Sequence, residues 1–142
     1  MFVKQLSVFM ENREGRLEQA AEVLKNKGIN ILSLSMADTM EYGMLRLVVS
    51  DPEQAKSALR ENGFSAKLTD VLAVRLDDQV GELYRLTHIL RTGGLNIEYM
   101  YALSTAEKRA IIVKTSNGEA AAAAISEGGL TLYGNEELCG SF

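Results

Sequence analysis

The chain has 142 residues, of which 46% are hydrophobic and 24% charged, as expected for one ordinary globular domain or two very small ones. A net charge of −4 and the lack of any apolar run of membrane-spanning length argue against a nucleic-acid surface or a membrane protein. The one cysteine, Cys139, excludes an intramolecular disulfide, and the N-terminus does not resemble a signal peptide, so we expect a cytoplasmic protein.

Hydrophobic periodicity predicts four strands and two helices, with one turn between strands, in the first half of the chain. They are a strand at Phe2–Met10, a helix from Gly15 to Gly28, a strand at Ile29–Ala37, a turn at Met40–Gly43, a strand at Met44–Val49, a helix from Pro52 to Asn62, and a strand at Phe64–Leu68. The stripe on the first helix predicts four buried residues: Leu17, Ala20, Ala21 and Leu24. Asp51 is predicted to cap the second helix.

The second half repeats the first after a shift of 66 positions without a gap. Gly28-Ile29-Asn30-Ile31 returns as Gly94-Leu95-Asn96-Ile97, and Gly15 returns as Gly81. The predicted elements are Val71–Leu76, helix Gly81–Thr92 with Leu83, Leu86, Thr87 and Leu90 buried, Leu95–Leu103, Ala110–Thr115, helix Glu119–Ser126, and Leu130–Tyr133. Such a repeat indicates two domains, 1–70 and 71–142. The stretch Leu68–Leu76 looks extended throughout, so one domain is expected to run almost directly into the next.

The order β-α-β-β-α-β predicts an α+β fold of two ferredoxin-like units, each an antiparallel sheet with both helices on one face. The strand that follows Gly28 or Gly94 then lies at a sheet edge, and two such edges are expected to pair into one eight-stranded sheet. Five side chains are candidates for the open face of the sheets: Phe9, Val48, Tyr99, Tyr101 and Ile112. An apolar open face predicts a homodimer.

A catalytic or metal-binding set is not recognisable. His88 is expected on the solvated face of its helix, Cys139 has no histidine nearby, and no metal-ligand spacing occurs. We therefore expect no enzyme activity, no cofactor and no metal.

The two helix starts offer a different chemistry. Each follows a polar loop with a glycine, and free N–H groups there favour a carboxylate. Asn30 and Asn96 add amide donors and acceptors that suit a zwitterion. Alternatively, Gly15 and Gly81 only serve the strand-to-helix turn, while the asparagines tolerate a left-handed corner.

On these residues each unit resembles an ACT domain, a small ligand-binding module of amino-acid-regulated enzymes. The likeness rests on Gly15-Arg16-Leu17 with Gly28-Ile29-Asn30-Ile31, and on Gly81-Glu82-Leu83 with Gly94-Leu95-Asn96-Ile97. It implies the βαββαβ fold and an amino acid bound between the first loop of one unit and the second strand of its neighbour. Many ACT loops carry Asp-x-Pro-Gly, and both loops here lack the proline.

Carried over, the resemblance implies two crossed sites. One uses Asn12, Arg13, Glu14, Gly15, Arg16 and Leu17 with Asn96 and Ile97. The other uses Asp78, Gln79, Val80, Gly81, Glu82 and Leu83 with Asn30 and Ile31. The loops differ in charge, so the sites need not bind equally.

The resemblance thus implies a non-catalytic regulatory protein that senses a free amino acid and shifts the population of a partner-binding form. An alternative is a regulatory or scaffolding subunit of an amino-acid biosynthetic enzyme with vestigial ligand sites. An RNA-recognition module on the same topology fits poorly, because the basic residues and clustered aromatics it needs are missing.

Overall fold

The structure, a computed structural model, describes residues 2–38 and 42–139. The strands are β1 (Val3–Glu11), β2 (Ile31–Asp38), β3 (Tyr42–Val49), β4 (Ser65–Arg75), β5 (Ile97–Ser104), β6 (Arg109–Thr115) and β7 (Leu132–Tyr133). The helices are α1 (Arg16–Asn26), α2 (Pro52–Glu61), α3 (Glu82–Thr92), α4 (Gly118–Glu127) and α5 (Asn135–Cys139). Of the predicted turn Met40–Gly43, the first two residues lie outside the described part of the chain.

The α+β prediction and the element order are confirmed, but the strand count is wrong. Eight strands were expected, and the described residues form seven, because the last strand of the first copy and the first strand of the second are one continuous strand, β4. The sequence between Ser65 and Arg75 contains neither proline nor glycine, so nothing interrupts the extended backbone.

Two compact units divide the chain between Thr69 and Asp70, inside β4. The N-terminal unit comprises Lys4–Thr69 with Cys139, and the C-terminal unit comprises Asp70–Leu138 with Phe2 and Val3. Each unit therefore includes described residues from the opposite end of the chain.

In the N-terminal unit the strand order is β2-β3-β1-β4. The pairs Leu6↔Leu47 and Val8↔Leu45 align apolar side chains on the face that also packs against both helices. Ala20 and Leu24 of α1 and Leu59 of α2 complete this core. Burial of that face against two amphipathic helices supplies most of the unit's stability.

In the C-terminal unit β5 pairs with β6, β6 with β4, and β4 with β7. Its core repeats the same layers, with Leu72 and Val113 from the sheet, Leu86 and Leu90 from α3, and residues of α4. Phe2 packs against this core, although it stands at the other end of the chain.

Local signals explain where the helices begin. The Asp51 side chain accepts a hydrogen bond from the backbone N–H of Gln54 at 3.2 Å, so the predicted cap of α2 is confirmed. Asn117 caps α4 in the same way, through the N–H of Ala120. α1 and α3 instead follow Gly15 and Gly81, whose φ angles of 84° and 92° place them in the left-handed region.

The predicted edge position of the second strands is confirmed, whereas their expected pairing with each other is wrong. β2 pairs with β3 and β5 pairs with β6, and among the described strands neither has a partner on its second side. β4 has residues in both units.

Strand register places the five predicted open-face side chains opposite the helices. Phe9 is paired with Met44, and Tyr101 with Ile112, on the face away from the two cores. Val48 and Ile112 are fully buried there, and Phe9 is 45% exposed. This face therefore combines apolar side chains with polar ones, such as Ser7 paired with Arg46, and it is covered at Val48 and Ile112. The five candidates lie on the predicted face, but an open, wholly apolar face is not found.

Two leucines predicted in the cores are not buried. Leu17 and Leu83 are 43% and 49% exposed, and Ala21 of the same predicted stripe is exposed as well. Leu17 and Leu83 stand in the first turn of their helices, and burial is restricted to Ala20, Leu24, Leu86 and Leu90 further along.

Candidate functional site

The two strand-to-helix loops have the glycine geometry that the sequence predicts. A side chain at Gly15 or Gly81 would meet no atom within 4 Å, so glycine is required there by its positive φ and not by crowding. Neither glycine can cap its helix with a side chain, and the first N–H groups of a helix have no intrahelical acceptor. Both helix starts are thus suited to an anionic group.

The arginines of the first loop are already engaged within their unit. The Arg16 guanidinium lies 4.1 Å from the centroid of the Phe64 ring and donates to the Gln19 side chain at 2.9 Å. Its Nε atom is buried without a hydrogen-bond acceptor among the described residues. Arg13 forms an exposed ion pair of 3.7 Å with Glu11. Arg16, a ligand candidate in the sequence, is thus held against Phe64 and Gln19 of its own unit.

The second loop has a different set of contacts. Asp78 pairs with Arg109 at 3.1 Å, and Glu82 lies 3.9 Å from Arg85. Gln79 donates its backbone N–H to the carbonyl of Asp77 at 2.9 Å, and the Val80 side chain is fully exposed. The two loops share a backbone shape but present different chemistry.

Asn30 and Asn96 are held through their main chains. Asn30 donates its N–H to Ser50 Oγ at 2.9 Å and accepts the Ser50 N–H at 2.9 Å. Asn96 makes the same two contacts with Ser116, at 3.4 and 3.1 Å. Both residues are exposed, so a fixed backbone presents each amide side chain to solvent.

Backbone angles distinguish a ligand-binding role from a purely structural turn role for the glycines and asparagines of the two units. Gly15 and Gly81 do serve the turn, as the structural alternative proposed. Among the described residues, however, only glycines have positive φ, so Asn30 and Asn96 do not occupy a left-handed corner. Gly28 and Gly94 take that conformation instead, at 68° and 71°. Turn geometry therefore does not explain the asparagines.

Each asparagine lies in a groove between the end of a helix and the start of an edge strand. The N-terminal groove has a volume of about 460 Å³ and is lined by Ala21, Leu24, Lys25, Gly28, Ile29, Asn30 and Ile31. The C-terminal groove, of about 410 Å³, is lined by Thr87, Arg91, Gly94, Leu95, Asn96 and Ile97. Every residue of the second set is 66 positions after a residue of the first, so the two grooves are equivalent places in the repeat.

A loop and a groove of the same unit do not meet. The loop precedes α1 or α3 and the groove lies at the far end of that helix, and each helix has 11 residues. At 1.5 Å per residue the separation is about 16 Å. One unit by itself brings Asn30 together with Ile31, or Asn96 with Ile97, but not either pair with its own loop.

Four residues at or near the grooves are not among the site residues that the sequence predicts. Ser50 and Ser116 fix the asparagine backbones, while Lys25 and Arg91 line the same grooves as the asparagines. The signal was present, because both pairs are 66 positions apart and keep their chemical type. A combination of cation, amide and exposed backbone can bind a small polar molecule that carries a carboxylate.

The described residues contain no cluster of three or more histidine, cysteine or acidic side chains placed to hold a metal ion. His88 is exposed and stacks on Tyr84 at 5.7 Å. No helix in this part of the chain has both the length and the apolar character of a membrane span.

Comparison with solved structures identifies similar folds. Protein BT0572 from Bacteroides thetaiotaomicron is 34% identical, with a TM-score of 0.91 over 98% of this chain and 96% of that one. The ligand-free regulatory subunit of aspartate kinase from Thermus thermophilus is 18% identical, with a TM-score of 0.62 over 89% and 93% of the two chains. The corresponding subunit from Thermus flavus is 20% identical, with a TM-score of 0.54 over 89% and 94%. The two Thermus proteins support the fold alone.

A search of curated protein sequences gave no match. A family model described as an ACT domain pair, in contrast, matches residues 1–140. The match covers both copies of the repeat, including both loops and both grooves. The chain therefore belongs to the ACT domain pair family.

Proposed function

We propose that this protein is a cytoplasmic, non-catalytic regulator that binds a free amino acid. Each binding site consists of the loop of one ACT unit and the groove of another. The loop supplies backbone N–H groups and the positive end of a helix dipole for the carboxylate, and the asparagine supplies an acceptor for the ammonium group.

The observation that carries this proposal is the pair of equivalent grooves. Asn30 and Asn96 have negative φ, a backbone fixed by a serine, and an exposed position in a groove that a basic residue also lines. Both copies retain those features, although the geometry of the turn does not require an asparagine. The exposure of Leu17 and Leu83 adds support, because each loop then offers an apolar contact next to its N–H groups.

Regulation would follow from the two-part construction of the site. A ligand that touches two units favours the arrangement in which loop and groove are close. The protein is proposed to act as a homodimer, because β2 and β5 lie at the two ends of the strand order, where a further strand can be added. Binding then changes the surface that the dimer offers to a regulated enzyme.

A thermal-shift screen of the full chain against the twenty amino acids tests the function. A ligand at 100 times its Kd should stabilise the folded state by about 2.7 kcal/mol per site, which raises the melting temperature. If no amino acid at millimolar concentration changes the melting temperature, the sensing function is refuted.

Calorimetry on variants then tests the site. Asn30→Ala and Asn96→Ala are each expected to weaken one of two binding events by roughly tenfold, since each removes a hydrogen bond to a charged group. Gln54→Ala is a matched control, because it removes an exposed amide of α2 that lines neither groove. If both asparagine variants bind the amino acid as tightly as the Gln54→Ala control does, the grooves are not the ligand site.

A second candidate function is a scaffolding subunit of an amino-acid biosynthetic enzyme with vestigial sites. It is favoured by the exposed aromatic pair Phe9 and Tyr42, whose ring centroids are 5.1 Å apart on the N-terminal unit. Affinity purification of an amino-acid biosynthetic enzyme without added ligand, and its loss in Phe9→Ser, would support this function. Capture that requires an amino acid would support the sensor instead.

A further inference from the structure

The C-terminal unit has an exposed aromatic pair on α3. Tyr84 and His88 are one helical turn apart, and their rings stack with the centroids 5.7 Å from each other. Tyr84 is 72% exposed, and His88 is exposed as well. Arg91, also exposed, lies on the same side of α3, because positions i, i+4 and i+7 share one face of a helix. Neither ring belongs to a loop or groove of the proposed amino acid sites.

The repeat shows that the fold itself does not require these rings. At the positions 66 residues earlier, α1 has Glu18 and Glu22 in place of Tyr84 and His88, and both glutamates are exposed. A charged helix face is therefore compatible with the same packing. Aromatic side chains are enriched in protein interfaces, where they bury a large area at a small cost in conformational entropy. The aromatic pair is thus a candidate for contact with another protein surface.

Next to the aromatic pair lies a helix with a small exposed side chain. Arg85 of α3 donates to the carbonyl of Gly128, which follows α4, so the start of α3 is beside the end of α4 and the two helices are antiparallel. Ala123 of α4 is exposed, and its counterpart in α2 is the polar Ser57. A small side chain allows a second helix to approach closely.

Opposite charges are separated between these two helices. α4 has two glutamates, Glu119 and Glu127, and no basic residue. The one glutamate of α3 is mostly buried and lies 3.9 Å from Arg85, so Arg91 adds an uncompensated positive charge. Arg91, Glu119 and Glu127 form no ion pair with any other residue in the described ranges. The exposed sides of α3 and α4 therefore have complementary charge.

We call these exposed sides the C-terminal helix face, which is defined by Tyr84, His88, Arg91, Glu119, Ala123 and Glu127. The C-terminal helix face is complementary to itself. A twofold axis parallel to the helices places α3 of each copy on α4 of the other, which is the geometry of an isologous contact. Because α3 and α4 are antiparallel, Arg91 at the end of α3 then meets Glu119 at the start of the other α4.

We propose that the C-terminal helix face binds the same face of a second copy of this chain. The rings of Tyr84 and His88 cover Ala123 of the second copy, and Arg91 pairs with Glu119 of the second copy. This contact uses helices, whereas the homodimer of the proposed function uses the strand edges, so neither depends on the other. Where both contacts form, the assembly is larger than a dimer.

Analytical ultracentrifugation of the full chain over a dilution series, without added amino acid, measures this self-association. Tyr84→Glu and Ala123→Glu should each raise the Kd of one association step by roughly tenfold or more, since each places a carboxylate in the contact. Ser57→Glu makes the same change at the equivalent position of the N-terminal unit and should leave the Kd unchanged. A monomer at all concentrations, or an equal Kd in Ala123→Glu and Ser57→Glu, would overturn the proposal.

Exchange of charges tests the pairing of the two helices. Arg91→Glu and Glu119→Arg should each weaken association by roughly tenfold, because each brings two like charges together. The double variant restores opposite charges in exchanged positions and should recover most of the affinity. Arg91 also lines a groove, and the absence of amino acid keeps that role out of the measurement. A double variant as weak as the single variants would contradict the proposed arrangement.

Two-dimensional amide NMR of the unchanged chain at several concentrations locates the contact. Concentration-dependent shifts are expected on the exposed sides of α3 and α4. Shifts confined to β2 and β5 would show association through the strand edges instead, and would overturn the proposal. Binding of amino acids is measured separately by thermal shift, so failure of the helix contact and failure of the proposed function give different results.

Discussion

At the scale of single residues, Ser50 and Ser116 determine how the two groove asparagines are held. Each serine accepts a hydrogen bond through its hydroxyl and donates one through its backbone N–H. The hydroxyl contact is 2.9 Å at Ser50 and 3.4 Å at Ser116. Since hydrogen bonds weaken with distance, the two copies are not expected to be equally rigid.

Ser50→Ala is therefore expected to cost more stability than Ser116→Ala. The first should lower the free energy of unfolding by about 1 kcal/mol, and the second by about half of that. Urea unfolding of the two variants beside the unchanged chain measures the difference. An equal loss in both, or a larger loss in Ser116→Ala, would contradict the role assigned to the shorter bond.

The sequence predicts the structural role of the glycines at the helix ends better than it predicts the role of the asparagines. Gly15 and Gly28 stand where helices begin and end, and positive φ at such places is a local property of the backbone. Asn30 was compatible with a left-handed turn or with a ligand contact, and only its φ angle separates the two. The engagement of Arg16 with Phe64 was not predictable, because the two residues are 48 positions apart in the sequence.

At the scale of elements, α4 ends without a basic residue of its own. α2 has Arg60 in its last turn, whereas the equivalent position of α4 is Ser126. Arg85 from α3 replaces that charge, since its guanidinium donates to the carbonyl of Gly128 at 2.8 Å. A cation near the last carbonyls of a helix stabilises them and the helix dipole.

Arg85→Met is expected to lower the free energy of unfolding by about 1 kcal/mol, since it removes this hydrogen bond and the charge but keeps the aliphatic stem. Arg85→Lys should lose less, because the charge remains. Thermal unfolding followed by circular dichroism measures both variants. Arg13→Met, with its exposed ion pair, is the control and should change little. A loss in the control that equals the loss in Arg85→Met would refute the capping role.

Periodicity predicted the elements well and their ends less well. The extended character of Leu68–Leu76 anticipated β4, but not that it would merge two strands into one. Leu17 and Leu83 fit the apolar stripe of their helices, but both are exposed. The stripe predicts which side of a helix faces the core, and it does not predict whether the first turn extends past the edge of that core. The short helix α5 has five residues, too few for a periodic signal.

At the scale of the whole molecule, Phe2 links the N-terminus to the C-terminal unit. Its side chain packs against the core built from α3, α4 and their strands. A side chain added at Gly118 would come within 2.8 Å of the Phe2 ring, so the contact is close. Hydrophobic pattern predicted Phe2 as part of a strand but could not tell which of two similar cores it joins.

Phe2→Ala is expected to destabilise the C-terminal unit by roughly 2 kcal/mol, about half the cost for a fully buried phenylalanine, because Phe2 is half-buried. Amide hydrogen exchange should show faster exchange in Asp70–Leu138 and little change in Lys4–Thr69. Phe9→Ala, at an exposed position of the neighbouring strand β1, is the control. Faster exchange mainly in Lys4–Thr69 would contradict the assignment of Phe2 to the C-terminal core.

The domain limits 1–70 and 71–142 stay a prediction, and Phe2 gives a way to examine them. A fragment that starts at Val71 lacks Phe2, and a fragment that ends at Asp70 lacks Cys139, which belongs to the N-terminal unit. We expect the isolated fragments to be less stable than the same units in the full chain. Chemical unfolding of both fragments measures the difference, and equal stability would favour the predicted limits as independent domains.

The exchange of terminal residues also sets the order of events during synthesis. Phe2 is translated long before α4 and β7, which complete the core that receives it. Cys139 is translated long after Thr69, although the other described residues of its unit precede Asp70. Neither unit can form all of its described contacts before translation has reached α5, so we expect both units to complete their folding late, when distant parts of the sequence come together.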